Sequence, residues 1–416
     1  MPDVRSGQHL QVDAHAKSLR PLERAPHPLT ASTPIAAKGF RPFFLLAGVF
    51  AALILPVWLL TLAGVLAPVR YFDAMTWHAH EMIFGFAMAV VAGFLLTAVG
   101  NWTGRETLVG RPLLGACALW LGGRVAMALP GALPHGVPAA IDLAFLPVLV
   151  LVIARPLAAT RNRRNFVMIA LLTVIWTADL AIHLNALGVL SGWSHRAPIL
   201  AVDVIVLLMV VVAGRVVPMF TKNATGMVSV RGRPALDKAA IVATLATAVL
   251  DAASLDARIG GVAAGLTALL VVLRAWTWGT RVAVRVPLLA ILHVGHGWIA
   301  VGFGLRAVAA FTSAVPAVLA THALTVGAIG ALTLGMMSRV ALGHTGRALV
   351  SSPAMTASFA LVTLAACVRV AGPLVDITLY RSTVFAAGVL WTAAFAVFIV
   401  VVGPLVVAPR VDGKAG

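Results

Sequence analysis

Residues 75–99 have the sequence MTWHAHEMIFGFAMAVVAGFLLTAV, an apolar run long enough to cross a bilayer. Similar runs recur along the chain, which is 61% hydrophobic and only 11% charged. A soluble domain of 416 residues could not bury so much apolar surface. We therefore predict an all-α polytopic membrane protein of about twelve transmembrane helices. The predicted spans are 43–67, 75–99, 111–129, 137–157, 166–188, 197–218, 236–254, 258–276, 286–311, 316–340, 354–375 and 380–407.

The sequence also repeats. Residues 80–105 match residues 322–347 at seven of 26 positions, from the leading histidine to the closing Thr-Gly-Arg. Residues 100–114 match residues 222–236 at seven of 15 positions, including an Asn-x-Thr-Gly turn. These matches predict three four-helix repeats, at about 41–160, 163–280 and 284–408. Because each repeat has an even number of helices, the copies are parallel, around a pseudo-threefold axis normal to the membrane.

Charge is distributed unevenly along the chain, whose formal net charge is +17. Of the 31 Lys and Arg residues, 23 fall in the N-terminal tail and alternate loops, five on the opposite side and three within spans. This bias predicts a bacterial inner-membrane protein with both termini in the cytoplasm. Residues 1–40 are polar and predict a disordered cytoplasmic tail before one transmembrane domain, 41–410. The excess charge fits orientation and anionic membrane lipid, so we expect no nucleic-acid partner.

Several histidines lie inside apolar spans, where an imidazole without a partner is costly. His80 and His322 occupy equivalent repeat positions, which suggests one ligand held from both sides, as in a bis-imidazole haem. His78 points about 200° away from His80 on a helix, so the two cannot bind one metal on regular geometry. Gly85 and Gly327 follow the two equivalent histidines and indicate close helix packing, room for a flat macrocycle, or both.

Other histidines have polar neighbours at helical spacing. His183 lies one turn after Asp179, which predicts an imidazole oriented by a carboxylate. His293 and His296 are three residues apart and can chelate one metal. For both pairs the structural alternative is a buried polar pair that fixes helix packing. The candidate metal ligands are His78, Glu81, His183, His293 and His296, and the candidate haem ligands are His80, His322, His78 and His293.

Arginines within or beside the spans could hold haem propionates by charge-assisted hydrogen bonds. The candidates are Arg124, Arg215, Arg339, Arg347 and Arg369. Intramembrane arginines could equally pair with Asp142 or Asp203 for structural reasons. The chain lacks a CxxCH attachment motif, so any haem is noncovalent and b-type. It also lacks a P-loop and a Rossmann glycine pattern, and no catalytic residue can be assigned.

Several motifs resemble the NnrS family over about residues 38–412. They are Trp77–Phe86, Asn101–Arg105, Gly214–Asn223, His322–Gly330 and Gly343–Arg347. The resemblance implies a bacterial inner-membrane protein of about twelve spans that contains haem b and copper and serves denitrification and the nitric oxide response. Non-haem iron is the alternative to copper. Because the position of His296 is often aromatic in that family, a ligand role favours His293.

The repeat plan is more weakly similar to that of the haem-copper oxidase and nitric oxide reductase superfamily. In that superfamily the second and tenth helices supply the histidines of a low-spin haem, which matches the positions of His80 and His322. The sixth and seventh spans here carry no histidine, although the superfamily places its second metal there. The resemblance therefore implies that any second metal centre is built from other helices.

Three functions remain open from the sequence. The first is a nitric oxide reductase-like oxidoreductase that receives electrons from quinol or another donor. The second is a protein that binds nitric oxide or a metal as a sensor, without turnover. The third is a secondary transporter, because many spans, internal repeats and charges near the membrane centre are typical of transporters. We expect redox chemistry on nitric oxide first.

Overall fold

The computed structural model describes residues 33–67, 71–129, 133–134 and 136–414, and none of these residues forms a strand. A helix occupies each segment predicted to span the membrane. The helices are α1 (Phe40–Leu62), α2 (Ala74–Thr103), α3 (Arg111–Ala128), α4 (Gly136–Ala159), α5 (Val167–Ala186), α6 (Trp193–Thr225), α7 (Pro234–Ala252), α8 (Ala257–Ala275), α9 (Pro287–Phe311), α10 (Ala317–His344), α11 (Pro353–Val375) and α12 (Tyr380–Val407).

Ten of these helices are long and apolar enough to cross a membrane, so the chain is a membrane protein. The other two are α3 and α7. Both carry charged residues; α7, for example, contains Asp237, Lys238 and Asp251. The all-helical membrane fold is therefore confirmed, with ten rather than twelve helices that qualify as spans by length and composition.

The helices α2, α6 and α10 form the centre of the bundle. Their most apolar windows are 83%, 83% and 67% buried, whereas those of the other spanning helices are 33–56% buried. All three contact one another and line a small apolar cavity of about 70 Å³. A helix that is apolar all round and largely covered by protein belongs in the core, so these three helices form the core of the bundle.

The outer helices close into a ring around this centre. The contacts between α4 and α5, between α8 and α9, and between α12 and α1 complete the circle. Arg41, at the start of α1, is fully buried and donates from Nη1 to the carbonyl oxygens of Val406 and Ala408, both at 2.8 Å. A side chain from the first helix thereby satisfies carbonyl groups at the end of the last one.

The three central helices end in the same kind of turn. Gly104, Gly226 and Gly346 follow α2, α6 and α10 with φ values of 65°, 68° and 77°. In each turn the preceding threonine donates its hydroxyl to the carbonyl four residues earlier, at 2.7, 2.7 and 2.6 Å. The Thr-Gly pairs of the sequence repeat are therefore left-handed helix ends, as their composition predicts.

Two of the central helices also share a change of helix type. The residues Glu81–Ala87 of α2 and Ala323–Ile329 of α10 form π-helical turns, each directly after the histidine of the repeat. Gly85 lies against the ring of Phe50, and a Cβ on Gly327 would lie 2.5 Å from Trp298 Cδ2. The space beside both glycines is thus filled by aromatic side chains, which supports the helix-packing interpretation.

The N-terminal region is described only from residue 33. Residues 1–32 of the predicted tail lie outside the described residues. The short 3₁₀ turn Pro34–Ala36 precedes α1, and the carbonyl of Ala36 accepts a hydrogen bond from the amide of Gly110 at 2.8 Å. The part of the predicted tail that the structure describes therefore packs against the bundle.

Candidate metal centre

The histidines of the second and tenth helices lie near the beginnings of those helices. This end of the bundle is called the histidine end below. His78 and His80 point to different neighbours, as helix geometry predicts. His78 stacks on Trp58 of α1, with ring centroids 4.5 Å apart, whereas His80 is fully buried beside α4 and α5. The two histidines therefore belong to separate clusters.

The first cluster surrounds His80. Its Nδ1 lies 2.9 Å from Glu81 Oε1. Its Nε2 lies 3.1 Å from Asp179 Oδ1 and 3.1 Å from Asp142 Oδ2. All three carboxylates are buried, with exposed fractions of 5% or less. Both ring nitrogens of His80 are thus engaged by acidic side chains.

A second imidazole faces the same two aspartates. His183 Nε2 lies 3.2 Å from Asp142 Oδ2 and 3.7 Å from Asp179 Oδ1. Its Nδ1 lies 2.8 Å from the hydroxyl of Tyr71. Burial, with a smaller contribution from Asp179, raises the pKa of Tyr71 to about 12, so the phenol stays protonated at neutral pH.

Arg124 of α3 is the cation of this cluster. Its Nη1 donates to Glu81 Oε1 at 2.8 Å, and its Nη2 contacts Asp142 Oδ1. Asp142 lies in the first part of α4, just before that helix is interrupted at Ala144. The sequence-based alternative that an intramembrane arginine pairs with Asp142 is therefore confirmed for Arg124.

The first cluster has the composition of a metal site. The ligand atoms of His80, Asp142, Asp179 and His183 all lie within 4.8 Å of one another. Imidazole nitrogen and carboxylate oxygen are both common metal donors. Each imidazole also has a partner on its other nitrogen, an arrangement that commonly fixes the orientation of a metal-binding histidine. The cluster can therefore hold a metal ion between α2, α4 and α5.

The second cluster, around His322, lies at the equivalent place of α10. His322 Nδ1 lies 2.8 Å from the carbonyl oxygen of Val318, and its Nε2 lies 3.5 Å from Arg369 Nη2. Arg369 also donates to the hydroxyl of Tyr380 at 2.9 Å, and its Nη1 is buried with no hydrogen-bond partner among the residues that the structure describes. The guanidinium is close enough to act electrostatically on both His322 and His78.

The middle central helix carries an acidic residue at the corresponding level. Asp203 of α6 pairs with Arg306 of α9, whose Nη2 lies 2.8 Å from Asp203 Oδ1. Arg306 also contacts Asp251 at the end of α7. Each of the three central helices thus has an arginine side chain beside it at this level, but the residues that the arginines contact differ.

The remaining histidine candidates lie far from the histidine end. His293 is near the start of α9, where its Nε2 lies 3.1 Å from the hydroxyl of Thr221 and its Nδ1 lies 2.9 Å from that of Thr280. His296 packs on Trp278, with centroids 4.5 Å apart, and its Nε2 lies 3.2 Å from a backbone carbonyl. The structure places this pair apart from His78, His80, His183 and His322.

Three of the arginine candidates also lie elsewhere. Arg215 donates to Asn165 Oδ1 at 2.7 Å, and Arg339 packs over the ring of Phe220 at 4.0 Å. Arg339 follows His322 by 17 residues on α10, which at 1.5 Å per residue corresponds to about 25 Å. Arg347 lies beyond the end of that helix. Of the arginines singled out from the sequence, Arg124 and Arg369 lie at the histidine clusters.

Sequence reasoning missed Tyr71 and treated Asp142 only as a possible ion-pair partner. The sequence did hold a signal for the first of these. The chain contains only two tyrosines. Tyr71 contacts His183 in the first cluster, and Tyr380 contacts Arg369 in the second. A rare polar aromatic residue at the edge of a span could therefore have been considered a site residue.

Comparisons with known proteins agree with the motifs around these clusters. No curated protein matches the sequence significantly. The family model described as NnrS protein matches residues 34–410, which include all twelve helices and both histidine clusters. The match covers nearly the whole chain, and the chain therefore belongs to the NnrS family.

Proposed function

We propose that this protein acts in the nitric oxide response of a bacterial inner membrane, through metals held by its buried histidines. The observation that carries the proposal is the convergence of two imidazole Nε2 atoms, from His80 and His183, on the same two aspartates. Membership of the NnrS family supports the nitric oxide role. The apolar helices support the membrane location.

The proposed architecture is three parallel four-helix units that together contain twelve transmembrane helices. Three features support it: the equal turns after α2, α6 and α10, the equivalent π segments of α2 and α10, and the high burial of the three central helices. The distribution of lysine and arginine supports cytoplasmic termini. The histidine end then faces the periplasm, because α2 and α10 begin there.

Haem b is proposed at the second cluster rather than the first. His78 and His322 offer imidazoles close to one arginine, and Arg369 has a buried nitrogen with no hydrogen-bond partner in the described part of the chain. An imidazole pair suits haem iron, and a guanidinium suits a propionate. His80 is less suited, because carboxylates engage both of its nitrogens. When bound, the haem supplies an iron that binds nitric oxide or passes electrons.

A second metal, copper or non-haem iron, is proposed at the first cluster. His80, His183, Asp142 and Asp179 would hold it, while Tyr71 orients the ring of His183. Reduction of two nitric oxide molecules to nitrous oxide and water consumes two electrons and two protons. A quinol is the proposed donor, because its oxidation to a quinone releases two electrons and two protons. The chain's own residues would bind the metal and fix the orientation of its ligands.

The test compares purified wild-type protein with His183→Ala and with a matched control, His195→Ala, whose side chain is exposed at the start of α6. Bound haem and metal are measured first, and anaerobic consumption of nitric oxide with a reduced quinol second. We expect the wild type and the control to contain metal and consume nitric oxide, and His183→Ala to lose both.

Two other outcomes would redirect the proposal. Metal and haem that bind nitric oxide without consuming it would support a sensor instead of an enzyme. Protein that contains neither group and transports a solute in liposomes would overturn the proposal in favour of a transporter. Absorption spectra recorded with and without nitric oxide distinguish these two outcomes, because only a protein that contains haem or metal can show a spectral change when nitric oxide binds.

A further inference from the structure

We infer that the first cluster is built for a divalent first-row cation, such as ferrous iron or manganese, and not for monovalent copper. The inference rests on the proposed function, which assigns a metal to this cluster, and it specifies which kind of ion fits. The resemblance to the NnrS family implies copper, whereas this inference excludes copper in its reduced, monovalent state from the first cluster. The argument comes from the donor atoms, their supporting contacts and their charge.

Four side chains form the ligand set. The Nε2 atoms of His80 and His183 and the carboxylates of Asp142 and Asp179 face one another within 4.8 Å. These residues come from three helices, α2, α4 and α5, so the set forms only in the folded bundle. Two imidazoles with carboxylates are the donor type of non-haem ferrous sites, whereas monovalent copper prefers sulfur donors.

The remaining polar residues support the ligands instead of binding the ion. Glu81 contacts Nδ1 of His80, and Tyr71 contacts Nδ1 of His183. With Nε2 bound to a metal, each Nδ1–H would donate to its partner, Glu81 or Tyr71. Partners of this kind fix ring orientation and strengthen the ligand. Arg124 holds the carboxylates of Glu81 and Asp142 in place.

The formal charge of the cluster also favours a divalent ion. A metal bound to both Nε2 atoms requires neutral imidazoles, so the formal charges that remain are three negative charges on Glu81, Asp142 and Asp179 and one positive charge on Arg124. Two negative charges therefore remain among side chains that are all at least 94% buried. Uncompensated charge in an apolar interior is strongly unfavourable. A divalent cation neutralises the cluster, while a monovalent cation leaves one negative charge.

The inference is tested on full-length protein in detergent from which metal has been removed by a chelator. Cobalt(II) serves as the spectroscopic probe for divalent ions, and copper(I) under anaerobic reducing conditions serves as the competitor. We expect one cobalt(II) per chain, retained in the presence of an equal concentration of copper(I). Displacement of cobalt(II) by equimolar copper(I) would overturn the inference, and this comparison requires no variant.

Variants then assign the ion to the cluster. Asp179→Asn removes one charge at nearly constant size, and His183→Ala removes one ligand. Both should bind cobalt(II) about 100-fold more weakly or not at all. Asp203→Asn is the matched control, because it removes a buried carboxylate beside Arg306 while Asp251 remains as that arginine's partner. Its cobalt(II) affinity should equal that of the wild type.

Unchanged cobalt(II) binding in Asp179→Asn and His183→Ala would overturn the assignment of these residues. Thermal melting of each variant separates loss of a ligand from loss of the fold. Failure of this inference also differs from failure of the proposed function. A wild type that prefers copper(I) yet consumes nitric oxide refutes only the divalent assignment, whereas a wild type that binds neither ion refutes the metal site itself.

Discussion

The regions around His80 and His322 have the same helix geometry. In each, a central helix changes from α to π directly after the histidine. In each, an arginine from the following helix, Arg124 or Arg369, reaches the residues at that turn. The arginines also contact the next helix along the chain, through Asp142 of α4 in one case and through Tyr380, the first residue of α12, in the other.

The two regions differ in charge. Glu81 follows His80, whereas Ala323 follows His322 at the equivalent position. Arg124 pairs with carboxylates, while the hydrogen-bond partners of Arg369 are a tyrosine hydroxyl and an imidazole. The helix geometry is therefore repeated, but of these two regions only the one around His80 has the acidic residues that a cation needs. The excess positive charge of the other suits an anionic group, such as a haem propionate.

The largest difference should appear when the arginines are removed. Arg124→Ala leaves Glu81 and Asp142 buried without their cation, which we expect to cost about 3–5 kcal/mol in the free energy of unfolding. Arg369→Ala leaves no buried carboxylate behind in its cluster, and its effect should be clearly smaller. Thermal melting of the two variants in the same detergent measures the difference.

A double variant controls this comparison. The double variant Arg124→Ala/Glu81→Gln also removes the charge of Glu81. It should recover part of the lost stability, because fewer buried charges remain unpaired. Equal melting temperatures for Arg124→Ala and Arg369→Ala would contradict the charge difference between the two regions.

Substitution of the glycines in the π segments tests what the two regions share. Gly85→Ala would place a methyl group against Phe50, and Gly327→Ala would place one 2.5 Å from Trp298. Overpacking of this kind typically costs about 1–3 kcal/mol. Both variants should therefore melt at lower temperature than the wild type. Gly115→Ala on α3 is the control, because its added Cβ meets no atom within 4 Å.

The sequence predicted the elements of the fold well. Apolar runs located every helix, although α6 ends seven residues after its predicted end and α1 ends five residues before its own, and the Thr-Gly pairs predicted the turns after the central helices. Bilayer length and left-handed glycine are local properties, so they can be recognised without tertiary structure. The π segments could not be predicted in this way, because the wider turn is stabilised by packing, as where Trp120 donates to the carbonyl of Gly85 at 3.1 Å.

The candidate site was predicted less completely. Repeat symmetry suggested that His80 and His322 share a ligand, but the structure engages His80 with His183 and two aspartates. Symmetry relates positions along the helices, whereas the contacts of a side chain depend on neighbouring helices that the repeat does not specify. The link between Asp142 and Asp179 depends on the packing of α4 beside α5, and nothing in the spacing of the two residues along the sequence indicates it.

The two tyrosines offer a finer comparison of the clusters. Tyr71→Phe removes the partner of His183 Nδ1 and should weaken metal binding at the first cluster by about 10-fold. Tyr380→Phe removes a hydroxyl that hydrogen-bonds to Arg369 in the second cluster, so it should leave that affinity unchanged. Titration of metal-free protein with cobalt(II) measures both. Equal weakening by the two substitutions would show that the clusters are coupled instead of separate.

The smallest effects should come from the turns that end the central helices. Gly104 and Gly226 have positive φ, and a Cβ at either position would meet no atom within 4 Å. Alanine at these positions therefore costs only the strain of the left-handed backbone, about 1 kcal/mol. Asparagine tolerates that conformation better, so Gly104→Asn and Gly226→Asn should melt closer to the wild type than the alanine variants. The two turns belong to different repeats and have the same geometry, so the alanine variants should lose similar amounts of stability. A large loss of stability in only one variant would mean that its glycine makes a contact that the other glycine lacks.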